Sequence, residues 1–241
     1  MFFLESGLRN DYLGRPEFVA PLKELQALAA PPSSSPKAMV LLGRIYESQK
    51  REDEALDLFR RAALSAVRKD PSHPLKPVRS NEIAQALIRQ GKILQRRFDS
   101  AGAEAAFRQA ALEHDNPEGY YLLAHLQGPE SPNREVYLTK AASSGILEAC
   151  HEVGTLQLGK ARGSQMAAKE KTEAVEMGKE WLFLAASAGV VESMLSLAEV
   201  FRAEGKLEMG MRWLRLAEEA KDVTMATKAK ELRGRWLADT A

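Results

Sequence analysis

The sequence predicts an all-α fold of about five stacked helix pairs with flanking terminal helices, and three observations carry that prediction. Hydrophobic residues make up 45% of the 241 positions but aromatic ones only 7%. Ala and Leu dominate while Val and Ile are thinly spread, which is the composition of a helix former. The set Leu42, Gly43, Tyr46, Ala55, Phe59 and Ala62 returns forty-eight positions on as Gly91, Leu94, Ala103, Phe107 and Ala110. It returns again, 155 positions on from the first set, as Leu197, Ala198, Phe201, Gly210, Leu214 and Ala217. No insertion interrupts any of the three windows, and a fixed register of small and large residues marks a stack of repeated units rather than one closed core.

Taken in order, residues 1–36 form an N-terminal segment with a short helix. Between Pro16 and Ala30 an apolar face runs through Phe18, Leu22, Leu25 and Leu28, with Pro21 confining the regular part to the later residues. Five pairs then occupy residues 37–221, at about 37–70, 80–115, 117–145, 146–189 and 190–221. The third, in which Leu123 and Ala124 lead to Leu138 and Ala141, has a loop two residues shorter than the first. The fourth, in which Val153 and Gly154 lead to Leu182 and Ala185, carries twelve extra residues. These lie somewhere in 159–178, as an extended loop or a lengthened helix. Residues 222–241 are expected to form a closing helix whose polar outer face caps the stack.

Close helix packing explains the register. Each first helix carries a small residue (Gly43, Gly91, Ala124, Gly154, Ala198), and the second helix answers with Ala55, Ala103 or Gly210 across from it. One turn later comes a large anchor: Phe59, Phe107, Leu138, Leu182 or Leu214. Small facing large lets the backbones approach while the groove fills.

The run from Leu42 and Gly43 through Tyr46, Ala55 and Phe59 to Ala62 resembles the tetratricopeptide signature. Trp181 to Gly189 and Leu138 to Gly145, each closing in Ala-Ala-x-x-Gly, resemble the related Sel-one-like repeat. The resemblance extends over about residues 37–221. It implies a right-handed α-α superhelix (a TPR-like solenoid) whose first helices line a concave face, and a non-enzymatic adaptor or scaffold role in complex assembly. On that geometry the face is expected to present Val40, Arg44 and Glu47, then Ile88, Lys92 and Gln95, then Tyr121 and His125. His151, Thr155 and Leu158 follow, then Leu195, Glu199 and Arg202. Aromatic, aliphatic and charged groups in such a mixture suit a protein or peptide segment. The paired Lys and Asn with which tetratricopeptide co-chaperones grip a chaperone tail are not reproduced.

Catalytic chemistry is not legible. The chain has no phosphate loop, nucleophile elbow, dinucleotide fingerprint or His-Glu-x-x-His, so no enzyme activity, cofactor or metal is expected. His73, His114, His125 and His151 fall in different units or linkers, and the pair Glu148 and His151 lacks the second copy that a bundle metal site needs. The single cysteine, Cys150, excludes an internal disulfide and a cysteine-based zinc cluster. It aligns with Met39, Leu87, Tyr120 and Met194, so it reads as core. Trp181, Trp213 and Trp236 likewise read as packing residues.

Charge is balanced overall, with 34 basic against 33 acidic side chains. Along the chain it is not. Arg60, Arg61, Arg68, Lys69, Lys76, Arg79, Arg89, Lys92, Arg96 and Arg97 meet only Asp70 and Glu82, while residues 98–155 are mainly acidic. The alternative function is therefore an organelle RNA-associated helical-repeat factor using segment 60–97, with Arg89, Lys92, Arg96 and Arg97 as its basic patch. Absent aromatic interleaving weighs against RNA, because single-strand recognition adds stacking to phosphate contacts. The longest apolar run, Trp181 to Val191, falls far short of the roughly 20 residues that span a bilayer. The start, Met1 to Glu5, lacks the basic region of a secretory signal. A soluble cytoplasmic protein is expected, or a mitochondrial one if the natural N-terminus is longer.

Overall fold

Capping chemistry sets where the helices begin. Pro36, Pro117 and Pro132 stand at first helical positions behind Ser35, Asn116 and Ser131, where the missing N–H costs nothing. The Asn116 and Asp99 carboxamide and carboxylate oxygens accept from the backbone N–H of Gly119 and Gly102, both at 2.9 Å. Asp222 accepts from Thr224 and Met225 at 2.9 and 3.1 Å. Each such cap satisfies donors that the first helical turn leaves open.

The computed structural model describes residues 16–65, 80–163 and 167–239, and among these it has twelve helices and no strands. The chain divides into two compact units, Met1–Gly128 and Pro129–Ala241. Unit 1 holds α1 (Pro16–Ala29), α2 (Pro36–Ser48), α3 (Glu52–Leu64), α4 (Asn81–Arg96), α5 (Ser100–Leu112) and α6 (Pro117–Leu126). Unit 2 holds α7 (Pro132–Ser143), α8 (Leu147–Arg162), α9 (Ala168–Ser187), α10 (Val191–Ala203), α11 (Leu207–Glu218) and α12 (Val223–Ala238). The division falls in the loop of the third expected pair.

Within the units the small-to-large register is realised in space. A Cβ placed on Gly43 would lie 2.6 Å from the Phe59 ring, one on Gly91 2.4 Å from Phe107, and one on Gly154 2.7 Å from Leu182. Phe59, Phe107 and Leu182 are themselves fully buried. These glycines therefore permit the α2–α3, α4–α5 and α8–α9 contacts rather than merely accompanying them. The same holds for Gly210 of α11, whose Cβ would stand 2.9 Å from the Ala198 carbonyl oxygen of α10. Cys150 is buried, its Sγ 3.6 Å from the Ala142 carbonyl oxygen, and burial raises the thiol pKa.

The extra residues of the fourth pair lengthen helices. α9 runs for 20 residues against 13 for the second helices α3 and α5, and α8 ends at Arg162, eight residues past Gly154, where α2 and α4 end five past Gly43 and Gly91. At the N-terminal side α1 continues through Pro21 instead of starting after it; so near a helix start the proline removes one backbone bond. Leu25 and Ala29 are its buried residues, whereas Leu28 is exposed. At the other side α12 packs on α11 and buries Trp236 against a cluster containing Leu195, Met211, Leu214 and Ala229. Trp213 is half-buried and packs against that cluster and also against the one around Leu182, Leu197 and Phe201.

Candidate functional site

First helices touch one another as well as their own second helices: α2 meets α4, α4 meets α6, and α8 meets α10. The face they form carries ionic links. Glu47 of α2 accepts from Arg89 of α4 at 2.9 Å and from Arg96 at 3.0 Å. Lys92 of α4 reaches Glu118 of α6 at 2.6 Å. Tyr121 and His125, one turn apart on α6, meet edge to face with ring centroids 4.6 Å apart. Tyr121 is half-buried and His125 exposed, so this aromatic pair stands at the surface of the last first helix of unit 1.

In unit 2 His151 of α8 bonds through Nδ1 to the Ser193 hydroxyl of α10 at 2.9 Å. Burial lowers the pKa of His151, against the opposing pull of Glu192 and Glu152, so the ring is held neutral further into the acid range than an exposed histidine. Arg202 of α10 reaches Asp239 beyond α12 at 2.6 Å and lies 4.9 Å over the Trp236 ring. Glu199 is exposed on α10, and Arg44 is half-buried on α2.

Several residues expected on this face lie elsewhere. Val40, Ile88, Leu158 and Leu195 are buried, so the apolar members of the set are core. The physical reason is that a first helix is covered on two sides, by its second helix and by the neighbouring first helix, leaving a narrower open stripe than a single helix pair would. The polar members Glu47, Lys92, His151 and Arg202 are each paired with a residue outside their own helix. Their partners Glu118, Ser193 and Asp239 were not singled out from sequence. Only Ser193 carries a local signal: it places a hydroxyl in the buried slot that Ala38, Ala86 and Ala149 fill in other units.

The four residues of the basic patch are also paired. Arg96 and Arg97 both reach Glu52, at 2.9 and 3.6 Å, and Arg97 further reaches Asp53 at 2.8 Å. With Arg89 on Glu47 and Lys92 on Glu118, every cation of the patch faces a carboxylate. Arg68, Lys69, Lys76, Arg79 and His73 lie outside the described residues. Among the described residues no group of three or more His, Cys, Asp or Glu side chains is placed to hold a metal ion, and no helix is long and apolar enough to cross a membrane.

Stacked helix pairs interlocked by small residues, with first helices side by side, define an all-α helical-repeat protein. A family model described as tetratricopeptide repeat matches residues 36–65, the α2–α3 pair. The crystal structure of a Sel1 repeat protein from Oxalobacter formigenes is similar in fold, with a TM-score of 0.60 at 15% identity over 96% of this chain and 99% of that one. No curated protein matched the sequence. Residues 36–65 thus match a tetratricopeptide repeat, and over nearly its whole length the chain shares the all-α helical-repeat fold of the Sel1 repeat protein.

Proposed function

We propose that the protein is a non-enzymatic interaction scaffold for complex assembly, whose first helices hold a segment of a partner protein. The observation that supports this reading best is the linked row α2, α4 and α6. Glu47 links α2 to α4 and Lys92 links α4 to α6, so the row is braced in the free chain. Its last helix offers Tyr121 and His125 as an amphipathic contact. A surface ordered in advance loses less freedom on binding, and aromatic side chains with polar tips are efficient contact residues. Arg44 and Glu47 extend the row on α2, while His151, Glu199 and Arg202 are the corresponding set of unit 2.

The test is a pull-down from the source cell with the wild-type chain and with a Tyr121→Ala, His125→Ala double variant, both checked for equal helicity by circular dichroism. Loss of specific co-purifying proteins from the double variant is the expected result. Equal recovery of those partners would remove the first-helix face as the binding site.

A further inference from the structure

A second surface, independent of the first-helix face, lies in unit 2. The lengthened helix α9 leaves a groove of about 440 Å³ against α10. Leu197 and Phe201 of α10, both buried, form its floor, and Phe183 and Leu184 of α9 form its wall. These two wall residues are 53% and 55% exposed although adjacent and apolar, and Met177, two turns earlier, is 48% exposed. Neighbouring apolar side chains left open in a concave site differ from the scattered single ones that any surface carries.

The rim supplies the charge. Lys179 is the only basic residue of the lining, and it is occupied: its Nζ donates to Glu176 and to Glu204, both at 2.7 Å, with the side chain only 14% exposed. Burial works against its charge, but the bonds to the two carboxylates outweigh that and hold its pKa above the usual lysine value. Glu176 therefore shares its cation with Glu204, and Glu180 forms no ion pair among the described residues. The rim is net negative over an apolar floor.

Spacing narrows the ligand. Glu176, Glu180 and Leu184 follow one another at successive turns of α9, about 6 Å apart along its axis. We propose that this groove seats a short amphipathic helix of a partner protein. A bulky apolar side chain of that helix lies against Phe183, Leu184 and Phe201, and Lys or Arg one and two turns away faces Glu180 and Glu176. This is the helix-in-groove mode, in which apolar anchors give affinity and flanking charges give register.

The experiment uses a fluorescein-labelled alanine-based peptide with one Phe and with Lys four and eight positions from it, titrated with the full chain at low salt and followed by anisotropy. Three companion peptides replace the Lys residues by Glu, the Phe by Ala, or a central Ala by Pro. Saturable binding of the first peptide is expected, at least tenfold weaker for each companion. Glu180→Lys and Leu184→Ser, both at exposed positions, are each expected to weaken it at least tenfold with helicity unchanged, and Glu180→Lys to recover binding of the Glu peptide. Equal binding to wild type and both variants, or equal binding of the Pro peptide, would overturn the proposal. So would loss of peptide binding in the Tyr121→Ala, His125→Ala variant, which assigns the peptide to the first-helix face instead. Sedimentation that shows self-association of the wild-type chain, abolished by Leu184→Ser and without peptide binding, would give the groove to a second copy.

Discussion

Phe98 is the residue whose conformation its own chemistry least favours. Five helix-to-helix turns among the described residues close alike: the N–H of Lys50, Phe98, Gly145, Gly189 and Gly205 donates to the carbonyl oxygen of Glu47, Gln95, Ala142, Ala186 and Arg202, and the next N–H reaches that of Tyr46, Leu94, Ala141, Ala185 and Phe201. In each turn the first of these residues has positive φ, of 64°, 61°, 93°, 100° and 76° in that order. A glycine adopts that backbone without a Cβ penalty, as Gly205 does; an aromatic side chain does not. Phe98 is moreover 93% exposed, so no buried contact offsets the strain. Replacing it by glycine is expected to stabilise the protein by about 1 kcal/mol, a rise in Tm of roughly 2–4 °C for a chain this long. Thermal unfolding by calorimetry reads this directly, and a lower Tm for Phe98→Gly would show that the ring contributes stability after all.

At the scale of elements, what decides the packing is which glycines have a neighbour. The Cβ that Gly91→Ala adds would sit 2.4 Å from Phe107, a ring that is fully buried and has nowhere to go. Overpacking of this kind costs about 1–3 kcal/mol. Gly159 lies exposed in α8 with nothing within 4 Å of a Cβ. There Gly159→Ala removes only glycine's helix penalty and is expected to gain up to about 1 kcal/mol. Urea unfolding of the two variants should move in opposite directions; movement in the same direction would refute the small-to-large account of the interface. That account was legible in the sequence, because Gly43 with Phe59 and Gly91 with Phe107 recur at fixed spacing and each pair lies within one window. The burial of Val40, Ile88 and Leu195 was not legible, since the contact between consecutive first helices joins residues of different windows. Nor did the spacing of the fourth pair distinguish a loop from a longer helix, because the extra residues carry mixed charge and their glycines do not act alike: Gly163 ends α8, whereas Gly159 lies inside α8 and Gly178 inside α9, where a Cβ would stand 2.9 Å from the Gly154 carbonyl oxygen.

Over the whole molecule the same limit applies to charge. Read along the chain, 34 cations and 33 anions separate into a basic early stretch and an acidic middle. In space the four cations of the patch find carboxylates on other helices: Arg89 and Arg96 find Glu47, Arg96 and Arg97 find Glu52, and Lys92 finds Glu118. None of these partners lies in the same helix, so no local count of charge reveals them. For an RNA phosphate to use this patch it must displace carboxylates already in place, and the electrostatic gain from phosphate contacts falls accordingly. Charge reversal distinguishes the two roles. Arg96→Glu loses the pairs with Glu47 and Glu52 and sets three carboxylates together. Exposed pairs are each worth roughly 0.2–1 kcal/mol, so the variant should be destabilised by about 1–2 kcal/mol at low salt. That difference should shrink in 1 M NaCl, where the screening length falls to about 3 Å. With a labelled single-stranded RNA at low salt, neither the wild-type chain nor Arg96→Glu is expected to bind. Salt-dependent RNA binding by the wild-type chain that Arg96→Glu abolishes, with the helicity of the variant intact, would make these guanidinium groups a ligand site rather than a brace between first helices.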